Sequence, residues 1–400
     1  MFWSSDIVRA QRVLSVVLAS AAASLASGCA DLASEHEDDT SSQVSAPSSL
    51  LDAGQLDASP ASGPRDASVA DASAPLAADC AGGAQVDLSL IGWATESGGT
   101  TGGKGGRTQT VRTAAELVQA LKDKRKNPAP LTLLVSGTFT AASAGVSKFE
   151  VKELENLSLI GAGAGATFDG IGIKINKARN VVVRNLRIQR VRTGDKDAIS
   201  VEGPVDHVWV DHCDLSAELE GVGKDDYDGL LDTKAESSFL TYSWNHLHDS
   251  WKASLVGSSE SDTYDRKLTL HHNWFENVNS RLPLFRGGTG HVFNNLYERV
   301  VDSAINTRLG ACLRVEANAF AGVQNPWFSA YSDVLGGAEL RCNLVDVASR
   351  FFHDDERHVP TVCAAPIPYA YAGALNRADA LGEVVRANAG VGKLADPTAF

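Results

Sequence analysis

NVVVRNLRI at residues 180–188 and HVWVDHCDL at residues 207–215 are the first two of six similar apolar runs in this sequence. The other four are FLTYSWNHL (239–247), LTLHHNWF (268–275), HVFNNLY (291–297) and LRVEANAF (313–320). An asparagine or histidine marks each run, and the six markers are Asn185, His212, Asn245, Asn273, Asn295 and Asn318. Successive markers are 27, 33, 28, 22 and 23 residues apart, so the shortest step estimates one bare coil and the longer steps add a loop.

Short alternating runs that recur at this spacing, without helices between them, are typical of a parallel β-helix. A βαβ fold would need a crossover helix after each strand, and only Thr113–Lys122 has apolar residues at helical spacing. The sequence therefore predicts an all-β fold, a single-stranded parallel β-helix with irregular loops. We expect Thr113–Lys122 to form a short N-terminal helix that caps its open end. We also expect the marker asparagines to stack side chain on side chain inside the turns.

The acidic charge of the chain is unevenly distributed. The 400 residues have a formal net charge of −13, and residues 30–79 alone hold ten acids against the single Arg65. The rest of the chain is also net acidic, whereas a nucleic-acid partner would require a basic face. Nucleic acid is therefore excluded as a partner.

The N-terminus has the pattern of an export signal. Arg9 and Arg12 precede the apolar stretch 13–26, which is too short to span a bilayer and ends in small residues at Cys29. A cysteine at this place is typical of a bacterial lipoprotein cleavage site, with ordinary secretion as the alternative. We expect residues 1–29 to be a signal peptide and the protein to be extracellular, either free or anchored to the cell envelope through a lipid on Cys29.

Residues 30–79 are rich in Ala, Ser, Asp and Pro and contain few large apolar side chains. Such a segment cannot bury enough surface to offset its chain entropy, so we predict a disordered linker. The folded domain then covers residues 80–400, which we expect to be monomeric. Its five cysteines allow at most two disulfides and leave one free thiol, and their spacing does not fix the pairing.

Four aspartates are candidates for a metal site. Asp195 and Asp197 are two residues apart, so on an extended segment their side chains point the same way. Asp228 and Asp232 flank Gly-Leu-Leu in the next coil. Adjacent coils stack at a strand spacing of about 4.8 Å, so these acids can converge on one oxygen-ligated cation. A solvated acidic face is the alternative that spacing alone leaves open.

Basic residues occur in successive coils downstream of these acids. They are Lys234, Lys252, Arg281, Arg286 and Arg308. If they stack beside the acids, cation and bases together would form a cleft for a polycarboxylate. Four histidines, His246, His248, His271 and His272, suggest a metal or acid–base site at first sight, but their places in the runs favour packing inside the strands.

Four segments of the chain carry a family resemblance: VWVDH (208–212), DGLLD (228–232), WK (251–252) and the highly specific VNSRLPLFRGG (278–288). In these segments the chain resembles the calcium-dependent pectate lyases. The resemblance covers roughly residues 150–325, and NAGVGK (388–393) is similar to the end of the family. It implies a right-handed parallel β-helix that binds calcium and cleaves polygalacturonate by β-elimination.

The resemblance also implies a role for each charged residue. The calcium ligands would be Asp195, Asp197, Asp228 and Asp232. Lys252 and Arg286 would bind substrate carboxylates near the scissile bond, Arg281 would abstract the proton, and Lys234 and Arg308 would serve further subsites. Asp228 stands where relatives can have Glu, which is also a hard oxygen ligand.

The chemistry suits these residue types. The proton at C5 of a galacturonate is a very weak acid, because it lies next to a carboxylate whose negative charge opposes its loss. Calcium and Lys252 would withdraw that charge and stabilise an enolate-like transition state. Arg281 is an unusual base, since the ordinary pKa of a guanidinium exceeds about 12. In the alternative, Arg281 stays charged and water or hydroxide takes the proton.

Two other functions compete with this one. A pectin lyase would act on methyl-esterified polymer, but such relatives lack the calcium carboxylates that are present here. A non-catalytic β-helix, either an adhesin or a polysaccharide-binding protein, would be expected to lack Lys252 or Arg281, and this chain has both.

Overall fold

Short parallel strands dominate the computed structural model, which describes residues 82–83, 85–352 and 358–400. The predicted signal peptide 1–29 and linker 30–79 lie outside these residues. In chain order the strands are β1 Arg107–Val111, β2 Leu131–Val135, β3 Thr138–Thr140, β4 Lys148–Lys152, β5 Glu155–Gly161, β6 Ala166–Asp169, β7 Gly172–Arg184, β8 Leu186–Gln189, β9 Ile199–Asp211, β10 Asp214–Ser216, β11 Leu231–Lys234, β12 Ser237–Ser243, β13 His246–Lys252, β14 Leu255–Val256, β15 Leu268–His271, β16 Trp274–Ser280, β17 Leu284–Arg286, β18 Thr289–Phe293, β19 Leu296–Glu298, β20 Ile305–Arg308, β21 Cys312–Glu316, β22 Ala319–Ala321, β23 Trp327–Phe328, β24 Gly337–Arg341, β25 Leu344–Val345 and β26 Thr361–Val362. The α-helices are α1 Ala114–Arg125, α2 Ala141–Ala144 and α3 Leu381–Asn388, and 3₁₀ turns lie at Trp93–Thr95 and Ala372–Ala374.

The strands stack in three parallel rows. The first row runs β4-β7-β9-β11-β14-β17-β20-β23, and the second runs β1-β2-β5-β7-β9-β12-β15-β18-β21-β24-β26. The long strands β7 and β9 belong to both rows, and the third row runs β3-β6-β8-β10-β13-β16-β19-β22-β25. Each strand pairs in parallel with its counterpart one coil further along the chain, as Leu240 does with Leu268. This confirms the predicted parallel β-helix.

Apolar side chains fill the space between the rows. Every second residue of a strand points inward, so each coil adds a layer of Val, Leu, Ile or Phe to one continuous core. Aromatic rings stack where the coils align: the Phe275 and Tyr297 centroids are 4.9 Å apart. The next pair, Tyr297 and Phe320, is 4.6 Å apart. Like residues on successive coils thus extend the core along its length.

Helix α1 covers the N-terminal end of this core, as predicted for Thr113–Lys122. The Thr113 side chain accepts a hydrogen bond from the Glu116 backbone N–H, and the Glu116 carboxylate accepts one from the Thr113 backbone N–H, which together form a capping box. Leu117 and Leu121 are buried in the same core as Leu131 of the first coils. The helix begins where the sequence indicated and extends to Arg125.

Asparagine side chains form a ladder in the turn between the second and third rows. Asn245 Nδ2 donates to Asn273 Oδ1 at 3.0 Å, and Asn273 donates to Asn295 at 2.9 Å. Asn295 then donates to Asn318 at 3.0 Å, and Asn318 to Asn343 at 2.9 Å. The predicted stacking is therefore confirmed for four of the five marker asparagines, and Asn343 extends it.

The markers Asn185 and His212 lie one position before the ladder. The backbone N–H of Cys213 donates to Asn245 Oδ1 at 2.9 Å, so Cys213 occupies the place that an asparagine fills in later coils. Asn185 and His212 instead adopt φ values of 59° and 48°, which bend the chain between the rows. The stacking prediction was wrong for Asn185, because the sequence does not show which polar residue of a turn points inward.

The state of the described cysteines agrees with the expected limit of two disulfides and one free thiol. Cys312 and Cys363 form a disulfide, Cys342 is disulfide-bonded as well, and Cys213 is a buried free thiol. Within the described residues, no helix is both long and apolar enough to cross a membrane.

We expect Asn295→Ala to lower the free energy of unfolding by about 2–4 kcal/mol, because it leaves buried partners on both neighbouring coils without a hydrogen bond. The change removes the acceptor for Asn273 and the donor for the Leu270 carbonyl on the preceding coil, and the donor for Asn318 Oδ1 on the following coil. Asn127→Ala is the control, since the Asn127 side chain accepts one hydrogen bond, from the Ala129 N–H, in an exposed turn. Urea denaturation measures both variants, and equal losses would contradict a special role for the ladder.

Candidate active site

The charged residues predicted from the sequence gather on the first row and on the turns that enter it. Lys234 ends β11, Arg286 ends β17 and Arg308 ends β20, and Arg286 pairs in register with Arg308. Lys252 ends β13 and Arg281 follows β16, so both lie where the third row turns into the first. The coil stack therefore places these cations along one side of the molecule.

Three of the four predicted metal ligands come together. Asp197, Asp228 and Asp232 each bring a carboxylate oxygen within 4.8 Å of the others. Asp197 and Asp228 lie in the loops before β9 and β11, while Asp232 lies within β11. The side chains of Asp197 and Asp232 are buried, and that of Asp228 is 37% exposed. The cluster is thus open to solvent only at Asp228.

Asp195 is held apart from this cluster. Its Oδ2 lies 2.7 Å from Lys148 Nζ and 3.1 Å from Lys174 Nζ, and its side chain is 38% exposed. Burial opposes ionisation, but the hydrogen bonds from both lysines outweigh it and lower the pKa of Asp195. Lys196 between the two aspartates has φ of 63°. The segment is therefore a turn, and the expected alternation of an extended strand does not apply.

Lys234 balances part of the charge of the cluster. Its Nζ is 2.9 Å from Asp197 Oδ2 and 3.1 Å from Asp232 Oδ2. Burial and the Asp232 carboxylate raise the pKa of Asp197 to about 7. Burial also raises the pKa of Asp232. The single positive charge of Lys234 therefore does not offset the burial and mutual repulsion of the three carboxylates.

The unsatisfied atom of this cluster is Asp232 Oδ2. It is buried and, among the residues described here, accepts no hydrogen bond, although the Lys234 ammonium is near. Its partner oxygen Oδ1 accepts from the Leu255 N–H at 2.9 Å. A set of hard oxygen donors with an unsatisfied buried oxygen fits a calcium ion.

Gly229 lets the two buried acids approach each other. Its N–H donates to Asp197 Oδ1 at 3.1 Å. A Cβ atom at this position would lie 2.0 Å from Asp232 Oδ1, far inside van der Waals contact. The glycine between Asp228 and Asp232 is therefore required by the close packing of the carboxylates.

Two of the predicted cations are paired with acids that the sequence analysis did not identify. Lys252 Nζ lies 2.8 Å from Asp225 Oδ1 and 3.4 Å from Asp228 Oδ1. Arg286 Nε lies 3.2 Å from Glu260 Oε1. Asp225 and Glu260 both belong to irregular loops, where no repeat indicates which side chain faces the site.

Arg308 and Arg281 differ in their surroundings. Arg308 Nη1 donates to the Tyr331 carbonyl at 3.3 Å, and its guanidinium lies 5.2 Å from the centroid of the Tyr331 ring. Within the described part of the chain, the Arg281 guanidinium makes no hydrogen bond and no ion pair. Its positive charge nevertheless pulls the pKa of Asp232 down against the larger effect of burial, so the two groups are neighbours. Arg281 is thus a half-buried guanidinium beside the acids without a carboxylate partner.

The four histidines divide into two pairs. His271 and His272 are buried, with rings stacked on Phe293 and Trp244 respectively, which confirms their predicted role in packing. His246 and His248 are not in the interior. They face outward from the third row and lie next to Asp214, an arrangement that the sequence analysis did not predict.

Comparison with known proteins identifies the family. The family model for pectate lyase matches residues 74–394. The chain belongs to the pectate lyase family. The pectate trisaccharide-lyase of Bacillus licheniformis is 45% identical over 308 residues, which cover 77% of this chain and 88% of that relative. The resemblance seen in the sequence is therefore confirmed, and with it the assignment as a polysaccharide lyase.

Solved pectate lyases share the fold over most of the chain. A Bacillus pectate lyase in complex with trigalacturonate matches with a TM-score of 0.71 and 35% identity, covering 76% of this chain and 99% of that one. Pectate lyase C from Erwinia chrysanthemi at pH 9.5 with 30 mM Ca²⁺ matches with a TM-score of 0.66 and 29% identity, covering 78% and 100%. The described β-helix is thus that of the pectate lyases.

We expect Asp232→Asn to weaken Ca²⁺ binding to the full chain at least tenfold, because it removes a charged ligand from the buried cluster. Asp195→Asn is the matched variant, and it should change the affinity less than threefold, since Asp195 is engaged by its two lysines. Calorimetric titration with CaCl₂ measures both. An equal loss in the two variants would show that Asp195 leaves its lysines and joins the site.

Proposed function

We propose that this pectate lyase cleaves polygalacturonate by calcium-dependent β-elimination and produces 4,5-unsaturated oligogalacturonates. The observation that carries the proposal is the Arg281 guanidinium, which has no ion-pair partner among the described residues and acts on Asp232 in the cluster of Asp197, Asp228 and Asp232. Solved relatives include one with bound trigalacturonate and one at 30 mM Ca²⁺, which supports the same substrate and ion here.

Asp197, Asp228 and Asp232 would hold the calcium ion. When bound, the ion would draw negative charge from a substrate carboxylate and so make the neighbouring C5 proton easier to remove. Two of these ligands are already held in position. Asp197 and Asp232 are buried, and the N–H groups of Gly229 and Leu255 orient their carboxylates. Little rearrangement of these two ligands is therefore needed.

The cations of the site would bind the acidic polymer. Lys252 and Arg286 each hold an exposed or half-exposed loop carboxylate, from Asp225 and Glu260 respectively. A galacturonate carboxylate can replace either loop acid, because it is the same chemical group as the Asp225 and Glu260 side chains and because these two side chains are accessible to solvent. Lys234 and Arg308 extend the row of positive charge to neighbouring sugar units.

Arg281 would take the proton from C5. The C5–H electrons then form the C4=C5 double bond, the bond from C4 to the glycosidic oxygen breaks, and the departing oxygen gains a proton from water. Arg281 must be neutral to act in this way. A carboxylate partner would favour the charged guanidinium, and among the described residues Arg281 has none within ion-pair distance.

The test is the rate of product formation from polygalacturonate, followed by the ultraviolet absorbance of the unsaturated end. Wild-type protein should be active with Ca²⁺ and inactive in excess chelator. Arg281→Lys keeps charge but not the planar guanidinium, so kcat should fall about 10²–10⁴-fold with little change in KM. Arg179→Lys is the control, since Arg179 forms an exposed ion pair with Asp206.

Four outcomes would contradict the proposal. Full activity in chelator would remove calcium from the reaction. An Arg281→Lys enzyme with more than about a tenth of wild-type kcat would show that Arg281 is not the base. Faster cleavage of methyl-esterified pectin would indicate a pectin lyase, and binding without any product would indicate a polysaccharide-binding protein.

We also propose that the enzyme is exported and held at the cell envelope by a lipid on Cys29. The basic residues Arg9 and Arg12, the short apolar stretch and the cysteine after small residues support this. The linker 30–79 would then act as a flexible tether of about 40 Å, from 5–6 Å times the square root of its length.

Cys29→Ser should move the protein from the membrane fraction to the medium or block processing, because the thiol that carries the lipid is lost. Ser45→Ala in the linker is the control and should stay with membranes. Fractionation and immunoblotting measure both. Wild-type protein found unacylated in culture fluid would refute the anchor.

A further inference from the structure

The outward face of the third row carries a second cluster of ligating side chains. Strands β10 and β13 pair so that Asp214 is in register with His246, and Ser216 with His248. Asp214 Oδ1 lies 3.4 Å from His248 Nε2, and Asp214 Oδ2 lies 4.0 Å from His246 Nδ1. One ligand atom from each of the three residues lies within 4.8 Å of the other two. Two imidazole nitrogens and a carboxylate thus converge on one point.

The remaining nitrogen of each imidazole is bound to a second carboxylate. His246 Nε2 lies 2.8 Å from Glu276 Oε2, and His248 Nδ1 lies 2.7 Å from Asp249 Oδ2. Histidines that ligate metals characteristically bind a carboxylate through the nitrogen that does not ligate, which fixes the tautomer and raises the basicity of the ring. Both histidines show this arrangement, with the other nitrogen directed to Asp214.

Stacking holds the two rings in place. The His246 ring lies 4.0 Å from the Trp274 ring and 4.1 Å from the His248 ring, with interplanar angles of 11° and 22°. The side chains of Asp214 and His246 are 14% exposed and that of His248 is 21% exposed. The cluster is therefore rigid and still accessible to an ion from solvent.

The two imidazoles differ in their affinity for a proton, and a proton on His248 competes with a metal ion. Burial, together with the charge of His248, lowers the pKa of His246 to about 4, so its imidazole is neutral at pH 7. Burial acts in the same direction on His248, but its hydrogen bonds to Asp214 and Asp249 dominate and raise its pKa. A metal ion would take the place of the His248 proton between the imidazole and Asp214.

We propose that His246 Nδ1, His248 Nε2 and Asp214 bind a zinc ion. Two imidazole nitrogens and one carboxylate suit Zn²⁺, whereas Ca²⁺ prefers an all-oxygen set such as that of the first row. With three protein ligands, water would complete the tetrahedron. The ion would cross-link two adjacent coils through β10 and β13.

Arg187 competes with the ion. Its Nε lies 3.3 Å from Asp214 Oδ1 and its Nη2 lies 3.4 Å from Asp214 Oδ2. The Arg187 side chain is largely exposed, so it can turn into solvent when the site fills. Its removal should therefore strengthen zinc binding, an effect that general damage to the fold would not produce.

The test is calorimetric titration of the full chain with ZnCl₂ in buffer saturated with Ca²⁺, so that the acidic cluster of the first row is occupied. We expect one equivalent of Zn²⁺ to bind with a Kd of about 1–10 µM, weaker than structural sites with four protein ligands. Bound Zn²⁺ should raise Tm, because it binds the folded protein. Co²⁺ in place of Zn²⁺ should give visible absorbance from a tetrahedral site.

The variants separate this site from any other. His246→Gln and His248→Gln should each weaken zinc binding at least tenfold, and Glu276→Gln about 10–100-fold through the orientation of His246. Arg187→Gln should tighten it severalfold. His207→Gln is the control, because His207 also pairs with a carboxylate, Asp206, at 2.5 Å but lies outside the three-ligand cluster.

The proposal is overturned if wild-type protein binds no Zn²⁺ below about 1 mM. It is also overturned if the double variant His246→Gln/His248→Gln retains wild-type affinity, since the ion would then bind elsewhere. Weaker binding in Arg187→Gln would equally contradict it. Circular dichroism of each variant shows whether the fold is kept. Zinc titration of Arg281→Lys shows whether zinc binding is independent of the proposed lyase activity.

Discussion

The parallel register between successive coils decides which strand residues of the described β-helix become neighbours. Strands of one row are about 4.8 Å apart, so side chains at matching positions on adjacent coils must be neighbours. A polar residue that a single coil would leave in solvent therefore meets a counterpart from the next. The fold thus brings charged side chains of adjacent coils together. The sequence of each coil decides whether these side chains repel one another or bind an ion.

Both ligand clusters follow from this constraint, but they differ in how the neighbouring charges are balanced. In the first row the carboxylates of Asp197 and Asp232 are buried together, and Lys234 offsets only part of the repulsion. In the third row an acid on one coil meets two imidazoles on the next, and further carboxylates satisfy the outer nitrogens. Crowded acids favour a hard cation, whereas the mixed cluster favours a softer one. One scaffold thus supports two kinds of ligand chemistry on different faces.

The sequence predicted the features that repeat and failed where the chain turns. The coil length and the ladder from Asn245 onward follow from the repeat that each coil shares with its neighbours. The capping helix follows from apolar residues at helical spacing. Asp195 was grouped with Asp197 on the assumption of an extended strand, but the positive φ of Lys196 sends the two carboxylates to different partners. Asp225 and Glu260 were missed because loop residues carry no period. Local backbone conformation, and not composition, decides such contacts.

The asparagine ladder has a polarity. From Asn245 to Asn318, each Nδ2 group donates one of its hydrogen bonds to the Oδ1 atom of the next asparagine toward the C-terminus, so the amide dipoles are parallel and each polarises the next. At the start, the Cys213 backbone N–H supplies the donor, and at the other end Asn343 is the last acceptor. The two ends of the solenoid are therefore not interchangeable. A coil grafted before Asn245 must bring a donor and one grafted after Asn343 an acceptor, which gives modular extension of this scaffold a direction.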